Sequence, residues 1–353
     1  MFQSGFLFST VYIVIYHYFF VIRLMYIVER ECDSANVVLV GRPLLSIIEE
    51  CNNDLKRALY KEPVNTNLML EQHNNLLDKL LSHNLLVYDI TQDSDILTKN
   101  LDPLSLANIV FTRDPVITTA NGIVLGRFRE RVRNKEVDIL KDFLDKNAIE
   151  IKGQIEYPGC VEGGDFFAIN ENLCMIAIGM RTNFEGVYQM IEKDLFGTEN
   201  VAVVKYSGNE TNMHCIHLDC YFGIVGPNTV LLWEGAKDFF VDEYQCEHLQ
   251  KSRFNVKFVN VRDMPLMEYL ECRCKFRVIL VSTQSQVRYG CNVLMINDKT
   301  VLTQERQVTE QLNMHLPELK TIYVELSEIH KMYGGIRCAT QVISRTTLFP
   351  KIY

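Results

Sequence analysis

The sequence comprises 353 residues, of which 48% are hydrophobic, enough to fill the core of one large domain or two medium ones. Its formal net charge of −8 argues against a nucleic-acid partner, which normally requires a basic surface. The eleven cysteines show no zinc-ligand spacing, so we expect reduced thiols, no metal and a cytoplasmic location.

The chain opens with a strongly apolar segment, residues 5–28, in which residues 5–22 carry no charge and just reach the length of a membrane span. Three interpretations remain: an extension outside the functional enzyme, a membrane anchor, or a buried helix. No basic region precedes the segment, no small-residue cleavage site follows it, and Met25 offers an alternative start. We therefore divide the chain into a hydrophobic extension or anchor, residues 1–28, and a single catalytic domain, residues 29–353.

Beyond this segment, short runs rich in β-branched and aromatic residues alternate with helical periodicity. Strand, strand, helix and strand recur about every 55–65 residues without a Pro/Gly/Ser-rich linker, which favours a single α/β domain. Helices are predicted at Leu68–Ser82, Glu136–Asn147, Glu185–Leu195 and Glu305–Met314. The predicted strands are Val37–Val40, Leu85–Ile90, Ile109–Thr112, Ile123–Gly126, Phe166–Ile169, Met175–Ile178, Val201–Tyr206, Thr229–Trp233, Val256–Val261, Val278–Ser282, Val293–Ile296 and Ile322–Leu326.

Four short motifs contain the residue types that carry chemistry. Taken singly, each has an ordinary explanation: a glycine-containing turn, a turn before proline, a core histidine or one more buried thiol. Together they supply a thiol nucleophile, an acid/base histidine and carboxylates able to grip a planar cation, which is the inventory that guanidine chemistry needs. In chain order the motifs are Phe111–Pro115, Glu162–Asp165, His217–Asp219 and Gly334–Cys338.

In this order the motifs resemble those of the arginine deiminases, members of the guanidino-group-modifying superfamily, over about Val37 to Arg345. The resemblance implies the pentein fold, a five-bladed α/β propeller of repeated ββαβ units. It also implies a cytoplasmic enzyme of arginine catabolism that converts L-arginine to L-citrulline and ammonia without a metal or organic cofactor. Whether the chain forms homo-oligomers stays open. The sequence departs from the family at Tyr333, where an arginine gate is usual, and at Ala339, where Met is common.

The resemblance implies a role for each polar residue of the motifs. Cys338 would attack the guanidinium carbon and form a covalent S-amidino intermediate. His217, oriented or charged by Glu162, would first protonate the leaving nitrogen and then activate water. The implied substrate-binding residues are Asp114 and Asp219 for the guanidinium, and Asn108, Arg133 and Arg181 for the amino-acid head.

Other functions within the superfamily are an amidinotransferase, a methylarginine hydrolase and an agmatine deiminase, and a binding protein without catalysis is a further alternative. A pair of carboxylate-binding arginines, Arg133 and Arg181, argues against agmatine, which has no carboxylate. For Arg133 a solvated surface position is the competing interpretation, because arginines alternate through residues 127–133. The intact polar set argues against a protein that has lost catalysis, since buried polar groups are costly to keep.

Overall fold

The computed structural model describes four stretches of the chain, which contain all four polar motifs. The opening segment up to residue 25 lies outside them, so its three interpretations remain predictions. Within the described stretches, no helix is both long enough and apolar enough to cross a membrane. The described residues are 26–92, 102–209, 211–247 and 257–346.

Two residues of the expected extension pack against the domain. The amide of Val28 donates to the carbonyl of Thr119 at 3.0 Å, and the carbonyl of Ile27 accepts from the amide of Arg345 at 3.1 Å. The Val28 side chain is buried in the apolar core. The folded part of the chain therefore includes residues on the N-terminal side of residue 29.

The described strands form five sheets with a common three-strand unit, in which the central strand pairs antiparallel with one neighbour and parallel with the other. In four of the sheets the antiparallel pair is a hairpin of consecutive strands. In chain order the strands are β1 (Ser34–Val40), β2 (Leu86–Asp89), β3 (Val116–Thr119), β4 (Gly122–Leu125), β5 (Ile151–Gln154), β6 (Phe166–Asn170), β7 (Leu173–Ile178), β8 (Asn200–Lys205), β9 (Phe222–Gly226), β10 (Thr229–Trp233), β11 (Phe240–Glu247), β12 (Lys257–Pro265), β13 (Arg277–Val281), β14 (Leu294–Asn297), β15 (Thr300–Thr303), β16 (Lys320–Tyr323) and β17 (Gln341–Thr346).

Helices connect the hairpins to the third strands. Two of them begin at asparagines whose side chains accept from backbone amides, Asn65 from Leu68 at 3.1 Å and Asn183 from Gly186 at 3.0 Å. In chain order the helices are α1 (Leu45–Cys51), α2 (Leu55–Ala58), α3 (Thr66–Ser82), α4 (Asn134–Lys146), α5 (Phe184–Glu192), α6 (Leu266–Glu268), α7 (Thr283–Gln286), α8 (Arg306–His315) and α9 (Ser327–His330), with a π-helical turn at Tyr269–Arg273.

Sheet order shows how the five units are assembled. The hairpins β3–β4, β6–β7, β9–β10 and β14–β15 are extended in parallel by β5, β8, β13 and β16. In the remaining unit, β1 pairs antiparallel with β17 and parallel with β2. The β11–β12 hairpin pairs with β8 and widens its sheet to five strands. The predicted α/β class and the repeated ββαβ unit are confirmed.

The predicted helices are confirmed to within a few residues at their ends. The strand predicted at Ile322–Leu326 overlaps β16 only at Ile322 and Tyr323, and Val256, the first residue of the strand predicted at Val256–Val261, lies outside the described residues. One predicted strand is wrong. Residues Ile109–Thr112 form turns, because their backbone groups bond locally and not to a neighbouring strand. The amide of Phe111 donates to the carbonyl of Asn108 at 2.9 Å, and that of Asp114 to the carbonyl of Phe111 at 3.3 Å. This turn directs both Asn108 and Asp114 into the same pocket.

The central strand β1 is buried on both faces. Val37 and Leu39 point into one apolar cluster, while Val38 and Val40 point into another. Because side chains alternate across a strand, a register slip would exchange the two sets. The pairing of β1 with β17 is therefore well specified, and β17 follows directly after the loop that holds Cys338.

Candidate active site

Six of the eight predicted site residues line one pocket, and the other two lie directly behind it. Glu162 contacts His217 at the back of the pocket wall, and Asp219 lies behind Cys338. Apolar side chains form most of the remaining wall. The lining residues are Leu59, Asn108, Phe111, Asp114, Arg133, Arg181, Met213, Ile216, His217, Met332, Tyr333 and Cys338.

The thiol of Cys338 is buried and surrounded by polar groups. Asn292 Nδ2 donates to Sγ at 3.2 Å, and the two carboxylate oxygens of Asp219 lie 3.8 and 3.9 Å from Sγ. Burial, together with the negative charges of Asp219 and Asp114, raises the pKa of the thiol well above its ordinary value. Cys338 is therefore a neutral thiol at neutral pH in this environment.

The paired glycines before Cys338 allow close packing of its loop. A Cβ at Gly334 would lie 2.1 Å from the ring of Phe111, and one at Gly335 would lie 2.3 Å from Nε2 of Gln304. Gln304 also accepts from the amide of Ile336 at 2.8 Å. The Gly-Gly motif thus brings the Cys338 loop against the turn that holds Asp114.

His217 forms an ion pair with Glu162, with 2.9 Å between Nε2 and Oε2, and its Nδ1 lies 3.8 Å from Asp114 Oδ1. Burial lowers the pKa of the histidine, but Asp114, Asp165 and Glu162 together raise it to about 9. Burial likewise opposes ionisation of Glu162, yet His217 and nearby arginines hold its pKa at about 2. At neutral pH the pair is therefore imidazolium and carboxylate.

Asp165, the last residue of its motif, has a role that sequence reasoning missed. Its Oδ1 accepts from the amide of Leu218 at 2.9 Å, which fixes the loop that carries His217 and Asp219. A Cβ at Gly164 would lie only 2.8 Å from the imidazole ring, so glycine is needed for the ring to pack there. The motif therefore supplies one carboxylate for the histidine and another for its backbone.

Arg133 is buried rather than solvated, and it binds acidic side chains. Its Nη1 donates to Asp114 Oδ2 at 2.8 Å, and Nη2 donates to Glu136 Oε2 at 2.7 Å. Its guanidinium also lies 4.2 Å from the ring centre of Phe128. The other oxygen of Asp114, Oδ1, accepts no hydrogen bond from any described residue.

Arg181 faces the same pocket with unused hydrogen-bonding capacity. The side chain is 7% exposed, and Nη1 has no hydrogen-bond partner among the residues that the structure describes. The oxygen of Glu130 lies 3.4 Å away, outside hydrogen-bonding geometry. Asn108, also in the wall, donates its side-chain amide to the carbonyl of Ala58 at 2.9 Å.

Asp219 is fully buried and belongs to a charge network that the sequence did not reveal. Arg337 Nη1 donates to its Oδ2 at 3.3 Å, and Arg337 Nε donates to Glu31 at 3.0 Å. Burial raises the pKa of Asp219, and the arginine opposes that shift. The position of Arg337 beside the nucleophile was a usable signal, whereas nothing near Glu31 in the sequence indicated its role.

Asp114, Glu162 and His217 offer three ligand atoms within 4.8 Å of one another, a spacing that cation ligands also show. In the structure these groups are bound to other side chains. Glu162 is hydrogen-bonded to His217, and Asp114 accepts a hydrogen bond from Arg133.

The site combines a buried thiol, an imidazolium–carboxylate pair and an open carboxylate oxygen, and it is held by five ββαβ units. These features define a guanidino-group-modifying hydrolase. The chain belongs to the arginine deiminase family, because the family's sequence model matches residues 42–345. This confirms the resemblance inferred from the four motifs.

Individual relatives are distant in sequence. The chain is 24% identical to the uncharacterized protein YkgA of Bacillus subtilis over 90% of this chain and 94% of that protein. It is also 24% identical to an arginine deiminase of Listeria monocytogenes, over 70% of this chain but only 63% of the relative's length.

Solved structures share the fold. The N-terminal domain of ArgZ, an arginine dihydrolase from cyanobacteria, superposes with a TM-score of 0.65 at 17% identity, covering 89% of this chain and 98% of that domain. A DDAH from Pseudomonas aeruginosa in complex with citrulline gives 0.60 at 19% identity, covering 87% and 98%.

Proposed function

We propose that this protein hydrolyses free L-arginine to L-citrulline and ammonia. One observation carries the proposal: the pocket has two complementary polar atoms, Asp114 Oδ1 and Arg181 Nη1, that lack hydrogen-bond partners in the described structure. Buried polar atoms without partners are rare in folded proteins. A guanidinium would satisfy the carboxylate oxygen and a carboxylate would satisfy the arginine, and free arginine carries both groups.

Binding of the substrate cation prepares the nucleophile. Asp114 and Asp219 accept its N–H groups, and the positive charge then lies beside the thiol of Cys338. A nearby cation lowers a thiol pKa and so reverses the effect of burial and of the two carboxylates. The thiol releases its proton to solvent, and the thiolate attacks the guanidinium carbon. A C–S bond forms while the electron pair of a C–N double bond moves onto nitrogen.

His217 then acts as acid and base in turn. The imidazolium gives its proton to the departing nitrogen, the C–N bond breaks, and ammonia leaves an S-amidino-cysteine. The neutral imidazole, held by Glu162, takes a proton from water as the oxygen adds to the amidino carbon. The C–S bond breaks, citrulline is released, and Asn292 stabilises the leaving thiolate through its hydrogen bond to Sγ.

Recognition of the amino-acid head falls mainly to Arg181 in this proposal. Arg133 already binds two carboxylates, so it contributes to the head with the N–H groups that remain and otherwise fixes Asp114. Asn108 completes the head site from the turn that also carries Asp114. We further propose that the five units are arranged as the blades of a propeller, with the pairing of β1 and β17 joining the first unit to the last.

Product analysis tests the proposal. L-arginine, agmatine and a methylarginine are incubated in parallel, and citrulline, ornithine, ammonia and alkylamine are quantified. We expect citrulline and ammonia from L-arginine in equal amounts. Ornithine with two ammonia molecules would indicate a dihydrolase like the one named for ArgZ, alkylamine release would indicate a methylarginine hydrolase, and no turnover would indicate a binding protein.

A further inference from the structure

Glu31 lies outside the pocket, buried among arginines. Its carboxylate accepts from Arg337 Nε at 3.0 Å and lies 4.0 Å from a guanidinium nitrogen of Arg113. Burial would raise its pKa, but the charges of Arg337, Arg113 and Arg345 lower it to about 2. Glu31 is therefore an anion that balances several buried cations.

Arg337 connects this anion to the nucleophile. Its planar guanidinium donates to Glu31 at 3.0 Å, to the carbonyl of Phe166 at 2.8 Å and to Asp219 at 3.3 Å. The ring of Phe167 lies 3.8 Å from its central carbon and packs against the guanidinium. Because the guanidinium is planar and rigid, its hydrogen bonds to Glu31 and to the carbonyl of Phe166 fix its orientation. That orientation sets the position of the N–H group that faces Asp219.

We propose that Glu31 is a positioning residue for the reaction, acting through Arg337 on the Asp219 carboxylate beside Cys338. The inference rests on the proposed function, in which Asp219 accepts the substrate guanidinium. Asp219 lies 3.8 Å from Sγ, so any change in how Arg337 holds this carboxylate reaches the reacting atom directly. Glu31 itself touches neither substrate nor thiol.

Loss of the Glu31 charge has two opposite effects. Arg337 would be left with Asp219 as its anionic partner and would compete with the substrate cation for that carboxylate, which weakens binding. The uncompensated positive charge would also favour the thiolate of Cys338. The other groups that act on the thiol, Asp114 and the amide of Asn292, stay in place.

The test is Glu31→Gln, which keeps the shape of the side chain and removes its charge. We expect KM for L-arginine to rise at least about tenfold, with a smaller change in kcat. We also expect the pH midpoint for alkylation of Cys338 by iodoacetamide, followed by mass spectrometry, to fall by about one unit. Glu31→Asp, which keeps the charge on a shorter side chain, should show both changes in the same direction but to a smaller extent.

The matched control is Glu243→Gln. Glu243 is also buried and bound to an arginine, Arg273 at 2.9 Å, and to Tyr269 at 2.6 Å, but it lies on β11 away from the pocket. We expect this variant to lower thermal stability and leave both KM and the alkylation midpoint unchanged.

The inference is overturned if Glu31→Gln lowers thermal stability but leaves KM and the alkylation midpoint as they were, or if Glu243→Gln shifts them equally. Alkylation needs no turnover, so the thiol measurement decides the matter even if L-arginine proves not to be the substrate. Should Glu31→Gln fail to fold, Glu31→Asp carries the test. Its shorter side chain should give a smaller shift in the same direction, and an unchanged KM and midpoint would contradict the inference.

Discussion

Arg133 donates a 2.8 Å hydrogen bond to Oδ2 of Asp114, while Oδ1 of the same carboxylate is open toward the pocket, with no hydrogen bond from the part of the chain that the structure describes. The carboxylate is thus fixed by the guanidinium of Arg133 before a substrate cation arrives. A carboxylate held in this way has little freedom to rotate, so the protein sets the plane in which a guanidinium binds. It also means that Arg133 and Arg181 are different targets for mutagenesis.

Arg181→Ala should reduce the preference for substrates with a carboxylate. In the native enzyme we expect agmatine to be processed at least about a hundredfold less efficiently than L-arginine, a difference of about 2.8 kcal/mol at 1.4 kcal/mol per decade. The variant loses the buried cation that faces the carboxylate, so the ratio should narrow, mainly through KM for L-arginine. The measurement is kcat/KM for both substrates.

Arg30 provides the control for that experiment, because it is an arginine in an exposed ion pair with Glu171. Arg30→Ala should leave the ratio of the two substrates unchanged. An unaltered ratio in Arg181→Ala, or equal use of agmatine by the native enzyme, would contradict carboxylate recognition by Arg181.

Cys338→Ser should keep the fold and abolish turnover, because a hydroxyl is a far weaker nucleophile than a thiolate at neutral pH. Activity should fall well below a tenth of the native rate, since loss of covalent catalysis costs several kcal/mol, or about three orders of magnitude. Cys272→Ser is the control, because Cys272 is exposed and lies outside the pocket. Citrulline formation is measured alongside the thermal midpoint; activity above about a tenth of native in Cys338→Ser would exclude it as nucleophile.

Gly164→Ala should displace the imidazole of His217, because the new Cβ would lie 2.8 Å from the ring. A shift of about 1 Å in a catalytic group can cost about a hundredfold in rate, so we expect a loss of that order in kcat. Gly226→Ala is the control, since a Cβ there meets no atom of the described chain within 4 Å. Equal kcat values for the two variants would show that the histidine has room to adjust.

Glu162→Gln should change the pH dependence of both activity and stability. Burial works against the charged form of His217, yet its acidic neighbours raise its pKa from 6.5 to about 9. The folded state therefore binds this proton more tightly than the unfolded state does. The resulting stability is complete below about pH 6.5 and is lost as the pH rises through 9.

Without the charge of Glu162, the pKa of His217 should fall, and the alkaline limb of kcat should move to lower pH. The decline of the thermal midpoint between pH 6.5 and 9 should become shallower at the same time. Glu171→Gln, at an exposed carboxylate, serves as the comparison. The assignment fails if both pH profiles of Glu162→Gln coincide with those of the native protein.

A chain begun at Met25 should be soluble and as active as the full chain, because it retains Ile27, Val28 and Glu31 with their contacts. A chain begun at Cys32 should lose stability and activity, since it lacks the anion that balances Arg337. Activity and sedimentation with lipid vesicles are measured for each. Aggregation of the Met25 chain, combined with stable vesicle binding by the full chain, would favour a membrane anchor.

Short local patterns were enough to predict the four longest helices of the described chain and the residues of the four polar motifs. The helix predicted at Leu68–Ser82 begins two residues earlier, at Thr66, and the strand predicted at Val37–Val40 begins at Ser34. The prediction of a strand at Ile109–Thr112 is wrong because a run of β-branched residues resembles a strand in the sequence. In the structure the backbone groups of this run form local hydrogen bonds in the turn that leads to Asp114.

Partners that act across the chain could not be predicted. Asn292 donates a hydrogen bond to the sulfur of Cys338. Glu31 binds Arg337, which lies 306 residues later in the chain. Neither residue stands in a distinctive local pattern, and only the fold brings Asn292 to the thiol of Cys338 and Glu31 to Arg337. The hydrogen bonds of Arg133 to Asp114 and Glu136 likewise depend on the directions of the side chains, which cannot be predicted from the spacing of the residues in the sequence.

The pairing of β1 with β17 has a consequence for how the protein becomes active. Units such as β3–β5, β6–β8 and β14–β16 are made of consecutive strands and can form while contacts are still local. The unit next to Cys338 requires Val38 to meet Val342, after nearly all of the described chain has been laid down. Catalytic competence should therefore be one of the last events of folding, and partly folded chains should be unable to consume arginine.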